Sequence, residues 1–189
     1  MPNLTVTDKI LAKTILPFIP WSVTPNMITW FRFFTIPFVT FLFAKEYYAA
    51  GLVLFFFSSF SDAVDGSLAR TRNQITEWGK MYDPLADKIL IGVSVFILAS
   101  RFLNIYIAAT IIAIEFFILI SAFYRKNAYG AQIQAETSGK VKMVLQSLGI
   151  GAILIGAGFG VPSFFIIALY LLNVSIIFAI ISLVVYKSI

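Results

Sequence analysis

The sequence of 189 residues is 60% hydrophobic and only 12% charged, and its mean hydropathy is +0.92. Soluble domains are typically about 45–50% apolar and about 25% charged, so this composition indicates a polytopic membrane protein. The sequence contains no cysteine and no histidine, which excludes disulfides, thiolate or imidazole metal ligands and imidazole general bases. The net charge of +5 is too dispersed for a nucleic-acid-binding patch, so no nucleic-acid partner is expected.

The N-terminal segment combines apolar and charged residues at helical spacing. Residues 6–18 place their apolar side chains on one side and Asp8, Lys9 and Lys13 on another, which predicts a short amphipathic helix in the membrane interface. A polar leader without such a role is the alternative interpretation. No cleavable signal peptide is evident, because the segment lacks the basic region, apolar core and small-residue site of such a peptide.

Six apolar stretches follow, and each is close to the 20 or so residues that a helix needs to cross a bilayer. They are predicted to span residues 27–44, 49–69, 79–100, 105–124, 141–159 and 162–186. The predicted fold is therefore all-α, with a juxtamembrane amphipathic helix (residues 1–20) and a membrane domain of six transmembrane helices (residues 21–189). Lysine and arginine concentrate on one side of these spans, which places both termini and the connection between spans 2 and 3 in the cytoplasm.

Four aspartates flank that connection between spans 2 and 3. Asp62 and Asp65 are three residues apart, and Asp83 and Asp87 are four apart, so each pair lies on one helical face. Carboxylates at membrane depth are tolerated where they face a bundle interior or a water-filled cavity. Because clustered carboxylates repel, and because hard divalent cations such as Mg²⁺ prefer oxygen ligands and bridge to substrate phosphates, the aspartates predict a metal-dependent phosphoryl-group transfer site.

Other interpretations of these charges stay open from the residues alone. Arg32, about one turn inside the first span, either extends to the interface or faces a phosphate. The aspartates can also form buried ion pairs with neighbouring cations, namely Arg32, Arg70, Lys80 and Lys88. Intramembrane acids also mark proton or ion paths, and Glu115 is the one candidate further along the chain for such a transporter.

The spacing of these residues resembles the signature of a known family. Asp62-x2-Asp65-Gly66-x2-Ala69-Arg70-x8-Gly79-x3-Asp83-x3-Asp87 matches the CDP-alcohol phosphotransferases at all eight specified positions. The stretch PNMITWFR resembles the opening of the family's first span. The stretch Gly139-Lys140-Val141-Lys142 resembles the GKxK of the phosphatidylglycerophosphate synthases, and the resemblance as a whole covers roughly residues 22–186.

The resemblance implies a specific chemistry. CDP-diacylglycerol would bind with its diphosphate on a two-metal site of Mg²⁺ or Mn²⁺, and its acyl tails would enter from the membrane lipid. The implied metal ligands are Asp62, Asp65, Asp83 and Asp87. Asp87 would also be the catalytic base that deprotonates an acceptor hydroxyl, which attacks the β-phosphorus and releases CMP. The implied nucleotide and diphosphate pocket consists of Asp65, Gly66, Ala69, Arg70 and Gly79.

The acceptor is predicted less directly. Glycerophosphate synthases usually show an Arg-Glu pair in span 4, whereas here Glu115 follows Ile114. The acceptor phosphate would then bind to other cations, Arg125, Lys126, Lys140 and Lys142. These cations favour a phosphorylated alcohol, first sn-glycerol 3-phosphate, with phosphatidylglycerol (as in cardiolipin synthase), inositol phosphate and serine as alternatives. A homodimer is also compatible with the resemblance, because spans 3–6 offer ample apolar surface.

Overall fold

The computed structural model describes residues 5–129 and 137–185, with the backbone alone at residues 6, 7, 80, 122–129, 137 and 185. Within these ranges the chain forms seven α-helices, one 3-10 turn and no strand. In chain order these are α1 (Val6–Thr14), the 3-10 turn (Leu16–Phe18), α2 (Pro25–Ala44), α3 (Tyr48–Thr71), α4 (Glu77–Phe102), α5 (Ile105–Tyr129), α6 (Thr137–Phe159) and α7 (Ser163–Val185).

The all-α prediction is confirmed, and a helix covers each predicted span. In the described part of the chain, four helices are long and apolar enough to cross a membrane, over Pro25–Ala44, Tyr48–Thr71, Ser138–Phe159 and Ser163–Val184. Helix α4 does not join these four helices, because its first half carries many charged residues. The described apolar part of α5, Ile105–Ser121, is shorter than the four helices that could cross a membrane. The chain is therefore an integral membrane protein, while the number of six spans stays a prediction.

The N-terminal helix begins at a capping box. The Oγ1 of Thr5 accepts a hydrogen bond from the Asp8 backbone N–H at 3.3 Å, and the Thr5 N–H donates to Asp8 Oδ2 at 2.8 Å. The Asp8 carboxylate is completely buried, while the apolar Ile10 is 57% exposed, and the interfacial location of this helix stays a prediction. A buried charge requires a partner, and Asp8 has one in α3.

Residues 1–45 and 50–90 form one compact unit, which contains α1, α2, most of α3 and the first half of α4. The N-terminal segment packs on α3 through an apolar cluster of Leu16, Val64 and Leu68. Thr35 of α2 and Ser58 of α3 share a buried hydrogen bond of 2.7 Å. These contacts fix the N-terminal segment and α2 against α3. The same unit contains the aspartates in the second half of α3 and in the first half of α4.

Residues 46–49 and the described residues from 91 to 185 form a second compact unit, with the remainder of α4 and the helices α5, α6 and α7. In it α6 packs along α7, and α5 also contacts α7. Gly149 of α6 lies directly against the buried Leu172 of α7, where an added Cβ would come within 2.8 Å of Leu172 Cδ2. Small residues allow such close approach between membrane helices.

We expect Gly149→Ala to lower the thermal unfolding temperature of the purified protein in detergent. Overpacking typically costs 1–3 kcal/mol, and the better helix propensity of alanine returns up to about 1 kcal/mol. Gly151→Ala is the matched control on the same helix, because its added Cβ would meet no atom within 4 Å. That variant should unfold at the wild-type temperature or slightly above it. Equal unfolding temperatures for the two variants would contradict the close contact between α6 and α7.

Candidate active site

A completely buried arginine on α2 binds the two aspartates of α3. Arg32 Nη1 donates to Asp62 Oδ1 at 2.9 Å, and Nη2 donates to Asp65 Oδ2 at 2.7 Å. Its Nε donates to Ser61 Oγ at 3.3 Å, and Nη1 lies 3.5 Å from the backbone carbonyl oxygen of Asp83 on α4. One guanidinium therefore contacts both acidic helices of the site, and the ion-pair interpretation of the sequence holds for Asp62 and Asp65.

The two aspartates of α4 begin six residues after its first residue, Glu77, nearly two turns inside the helix. The hydroxyl of Thr29, one turn before Arg32 on α2, donates to Asp83 Oδ1 at 2.5 Å. Asp87 follows one turn after Asp83 and is buried. Because residues four apart share a helical face, Asp83 and Asp87 point to the same side of α4. Thus α2 contacts α3 through Arg32 and α4 through Thr29, and it sets the position of the acidic residues on both.

Whether these residues suit a divalent cation depends on the donor set and on its arrangement. The donors are carboxylate oxygens, which hard cations prefer, and the contacts of Arg32 show that positive charge is stabilised between Asp62 and Asp65. Among residues 5–129 and 137–185, however, no group of three or more acidic side chains is arranged to hold a metal ion. The chemistry of the donor set fits Mg²⁺ or Mn²⁺, and the four-aspartate metal site stays a prediction.

A cavity of about 230 Å³ opens beside these acids. Its walls come from the start of α2, the end of α3 and the start of α4, and Asp83 is part of them. Four residues of the predicted nucleotide pocket line it together: Gly66, Ala69, Arg70 and Gly79. The fifth, Asp65, is buried against Arg32. Residues from two helices that are separated by a loop thus surround one space.

The N-terminal turns of α2 and α4 meet at this cavity through hydrogen bonds. Thr76 Oγ1 accepts from the Gly79 N–H at 2.9 Å, which caps α4, and donates to Asn26 Oδ1 at 2.9 Å. A Cβ on Gly79 would lie 3.1 Å from Thr76 Oγ1 and 3.3 Å from Asp83 Oδ2. Glycine is therefore the residue that leaves this capping arrangement and the adjacent carboxylate undisturbed.

Arg70 lies on the wall of the cavity and is bound from behind by the N-terminal helix. Its Nε and Nη2 donate to the two oxygens of Asp8, each at 2.8 Å. These hydrogen bonds from Arg70 hold the pKa of Asp8 well below the usual range, although burial acts in the opposite direction. The pair is therefore fully ionised at neutral pH.

The four cations predicted for the acceptor phosphate have different surroundings. In the second unit, Lys142 Nζ is buried and lies 2.6 Å from Glu115 Oε1, which also accepts from Gln146 at 3.3 Å. Lys140 is exposed. The side chains of Arg125 and Lys126 lie outside the described residues. Glu115, the candidate acid for transport, is thus bound to a lysine one helix away.

A family comparison bears on the whole chain. The CDP-alcohol phosphatidyltransferase family model matches residues 22–185, which is most of the sequence. The chain belongs to this family. The match includes both aspartate pairs and the helices that carry them.

Similar proteins come from several bacteria and carry one name, CDP-diacylglycerol--glycerol-3-phosphate 3-phosphatidyltransferase. The Pectobacterium atrosepticum protein is 34% identical, and the alignment covers 76% of this chain and 86% of that one. The Rickettsia typhi protein is 32% identical over 70% and 76% of the two chains. The Salmonella choleraesuis protein is 33% identical over 69% and 75%. These family members match this chain along most of their own length.

Sequence reasoning named Arg32 as one possible partner of the aspartates, and the structure confirms that pairing for Asp62 and Asp65. It missed one contact of this phosphatidyltransferase, because it gave Asp8 no partner. The pairing of Asp8 with Arg70 joins residues 62 positions apart, and helical spacing carries no signal for it.

We expect Arg32→Gln to destabilise the protein strongly. It leaves the buried Asp65 without its counter-charge, and breaking a buried ion pair typically costs about 3–5 kcal/mol. The matched control is Arg101→Gln, which breaks the exposed pair with Glu46 and should cost about 1 kcal/mol or less. Thermal unfolding of both variants in detergent measures the difference, and an equal, small effect would show that Arg32 is not the cation that Asp65 depends on.

Proposed function

We propose that this protein synthesises phosphatidylglycerophosphate by transferring the phosphatidyl group of CDP-diacylglycerol to sn-glycerol 3-phosphate, with release of CMP. The observation that carries the proposal is the cavity shared by Gly66, Ala69, Arg70, Gly79 and Asp83 next to the acids bound by Arg32. Family membership supports a CDP-alcohol substrate. The names of the similar bacterial proteins support the choice of acceptor.

The cavity suits the diphosphate of the nucleotide. Arg70 supplies a guanidinium, which binds phosphate oxygens well. Asn26 and Gly79 belong to the first turns of α2 and α4, and the N-terminal end of a helix favours anions through its dipole. The glycines at 66 and 79 leave room for the ligand to approach the backbone. Asp65 is not part of the cavity wall, and its carboxylate binds Arg32.

The aspartates would hold the metal ions. We assign Asp62, Asp65, Asp83 and Asp87 as ligands of Mg²⁺ or Mn²⁺ in a two-metal site, in agreement with their carboxylate chemistry. When bound, the cations neutralise the diphosphate oxygens and stabilise the leaving CMP. The side chains of Arg32 and Thr29 orient three of these carboxylates from α2, namely those of Asp62, Asp65 and Asp83.

Asp87 acts as the base. Its carboxylate takes the proton of the acceptor hydroxyl, and the hydroxyl oxygen forms a bond to the β-phosphorus of CDP-diacylglycerol. The bond between that phosphorus and the oxygen of the departing CMP breaks. The protein mainly supplies position and charge for such a step, because phosphoryl transfer asks little covalent chemistry of side chains.

The acceptor phosphate would be held by Arg125, Lys126, Lys140 and Lys142. Lys142 already has Glu115 as a partner, so its charge is partly offset, while the exposed Lys140 is accessible to an anion. Phosphatidylglycerol, inositol phosphate and serine are the alternative acceptors. Because Ile114 precedes Glu115 in place of an arginine, the experiment includes these alternative acceptors.

We further infer the arrangement in the membrane. The helices α2 to α7 would form six spans within a membrane domain of residues 21–189, and residues 1–20 would form a juxtamembrane element at the interface. Both termini and the active site would face the cytoplasm, because lysine and arginine concentrate in those loops. The apolar surface of the later spans is compatible with a homodimer.

An acceptor panel tests the proposed function. The purified protein is incubated with CDP-diacylglycerol, Mg²⁺ or Mn²⁺ and one of the four acceptors, and CMP release is measured. We expect release with sn-glycerol 3-phosphate and none when EDTA removes the metal. Release with a different acceptor alone would overturn the choice of acceptor. No release with any acceptor, together with ion or proton flux in liposomes, would favour a transporter instead.

We expect Asp87→Asn to lower CMP release by at least about 100-fold, since general-base catalysis typically contributes that much or more. The variant should retain the wild-type helical circular dichroism spectrum, because asparagine has nearly the same volume. Glu46→Gln, which changes an exposed carboxylate outside the cavity, is the matched control and should keep full activity. Undiminished CMP release from Asp87→Asn would refute the assignment of the base.

A further inference from the structure

The contact between α1 and Arg70 gives the N-terminal helix a direct link to the cavity. Asp8 binds the Nε–Nη2 edge of the guanidinium with two bonds of 2.8 Å, a bidentate geometry that fixes the plane as well as the position of the group. This leaves three N–H hydrogens, two on Nη1 and one on Nη2, that Asp8 does not use and that can bind a further acceptor. Arg70 also lines the cavity, so its guanidinium has one side bound to Asp8 and another available to a ligand.

Asp8 is itself held in place by the start of its own helix. Its Oδ2 accepts from the Thr5 N–H at 2.8 Å as well as from Arg70 Nε, and its own N–H is bound by Thr5 Oγ1. The carboxylate is completely buried. It also lies in the first turn of α1, where the helix dipole favours negative charge. Asp8 is therefore a fixed support and not a mobile surface charge.

The docking of this segment does not depend on Asp8 alone. Leu16, Val64 and Leu68 form an apolar cluster between the N-terminal segment and α3, with Ile15 and Ile19 packed against it. As an attachment for α1, the ion pair would add little to such a cluster, because the desolvation of the buried Asp8 carboxylate offsets much of the gain from pairing. The position of Arg70 is what the pair adds.

Gly66 allows this position. A Cβ at residue 66 would lie 3.3 Å from both Nη1 and Nη2 of Arg70, which is closer than ordinary van der Waals contact. The guanidinium thus lies against the backbone of α3 one turn before its own residue. An arginine has several accessible rotamers when nothing holds it, and a group that is already in its binding position loses less entropy when a ligand binds.

We propose that Asp8 is a positioning residue that holds the Arg70 guanidinium in the cavity for the diphosphate of a nucleotide substrate. The assignment rests on the proposed function only in the identity of that ligand. The negative charge of Asp8 opposes the attraction between Arg70 and a phosphate, but Arg70 is 36% exposed, so water screens this charge effect. The loss of geometric order is not screened by water, and we expect it to exceed the charge effect.

The test measures binding separately from catalysis. CDP is titrated with Mg²⁺ present into the full-length protein in detergent by calorimetry, and kcat and KM for CDP-diacylglycerol are measured on the same samples. Asp8→Asn should raise the Kd for CDP and the KM roughly tenfold, at the lower end of what the loss of an orienting partner costs in other sites. The value of kcat should change little, because the reacting groups are untouched.

Three further variants make the result specific. Lys9→Gln, which changes an exposed charge on the next residue of α1, should leave Kd and KM at their wild-type values. Asp8→Glu keeps the charge and displaces the guanidinium by one methylene, so it should lie between the wild type and Asp8→Asn. In an Arg70→Ala background, Asp8→Asn should cause no additional loss of CDP affinity.

A folded Asp8→Asn protein with the wild-type Kd and KM, or with tighter CDP binding, would overturn the proposal and leave Asp8 as an attachment for α1. If Asp8→Asn does not fold, Asp8→Glu decides, since an unchanged Kd in that variant has the same meaning. Failure of the proposed function is distinguishable from both results. In that case the wild-type protein itself neither binds CDP nor releases CMP from CDP-diacylglycerol.

Discussion

The buried guanidinium of Arg32 is the constraint on which the acidic half of the site depends. Apolar packing between membrane helices is weakly directional, so it leaves the rotation and sliding of α2, α3 and α4 open to several arrangements. A guanidinium has fixed donor directions and must satisfy them when it is buried. By binding Asp62 and Asp65 and reaching the backbone of Asp83, Arg32 selects the arrangement in which the acidic faces of α3 and α4 both lie beside α2.

A second arginine, Arg70, lies at the cavity. Arg70 is partly exposed, and it is bound on one edge by Asp8 while it contributes to the cavity wall. The two arginines share the same chemistry and differ in surroundings: Arg32 neutralises carboxylates inside the protein, whereas Arg70 offers charge to a ligand. The N-terminal helix, which looks peripheral in the sequence, thereby contacts the site through a single carboxylate.

The second unit of the chain contains its own buried pair. Glu115 and Lys142 lie on α5 and α6, and Gln146 donates to the same carboxylate oxygen. The other oxygen, Oε2, is buried and has no hydrogen-bond partner among the described residues. Because Lys142 of α6 neutralises the Glu115 carboxylate, Glu115 has the surroundings of a polar side chain of α5 that is held by a second helix. A chain of acids for ion movement would instead distribute several such groups across the membrane.

The sequence by itself determined the helices and the family. Runs of about 20 apolar residues predict helices because a bilayer admits little else, and the structure starts and ends each helix within a few residues of those runs, apart from α5, which continues further. The spacing of Asp62, Asp65, Asp83 and Asp87 predicts shared faces for the same local reason, and the eight-position signature agrees with the family match.

Only the tertiary structure decided which charges meet. Arg32 contacts Asp65 across 33 positions, and Asp8 contacts Arg70 across 62. Helical periodicity reports which residues share a face of one helix, but it contains no information about which face of another helix will lie opposite. That choice depends on side-chain packing and on the need of each buried charge for a partner, and both act only once the helices have come together.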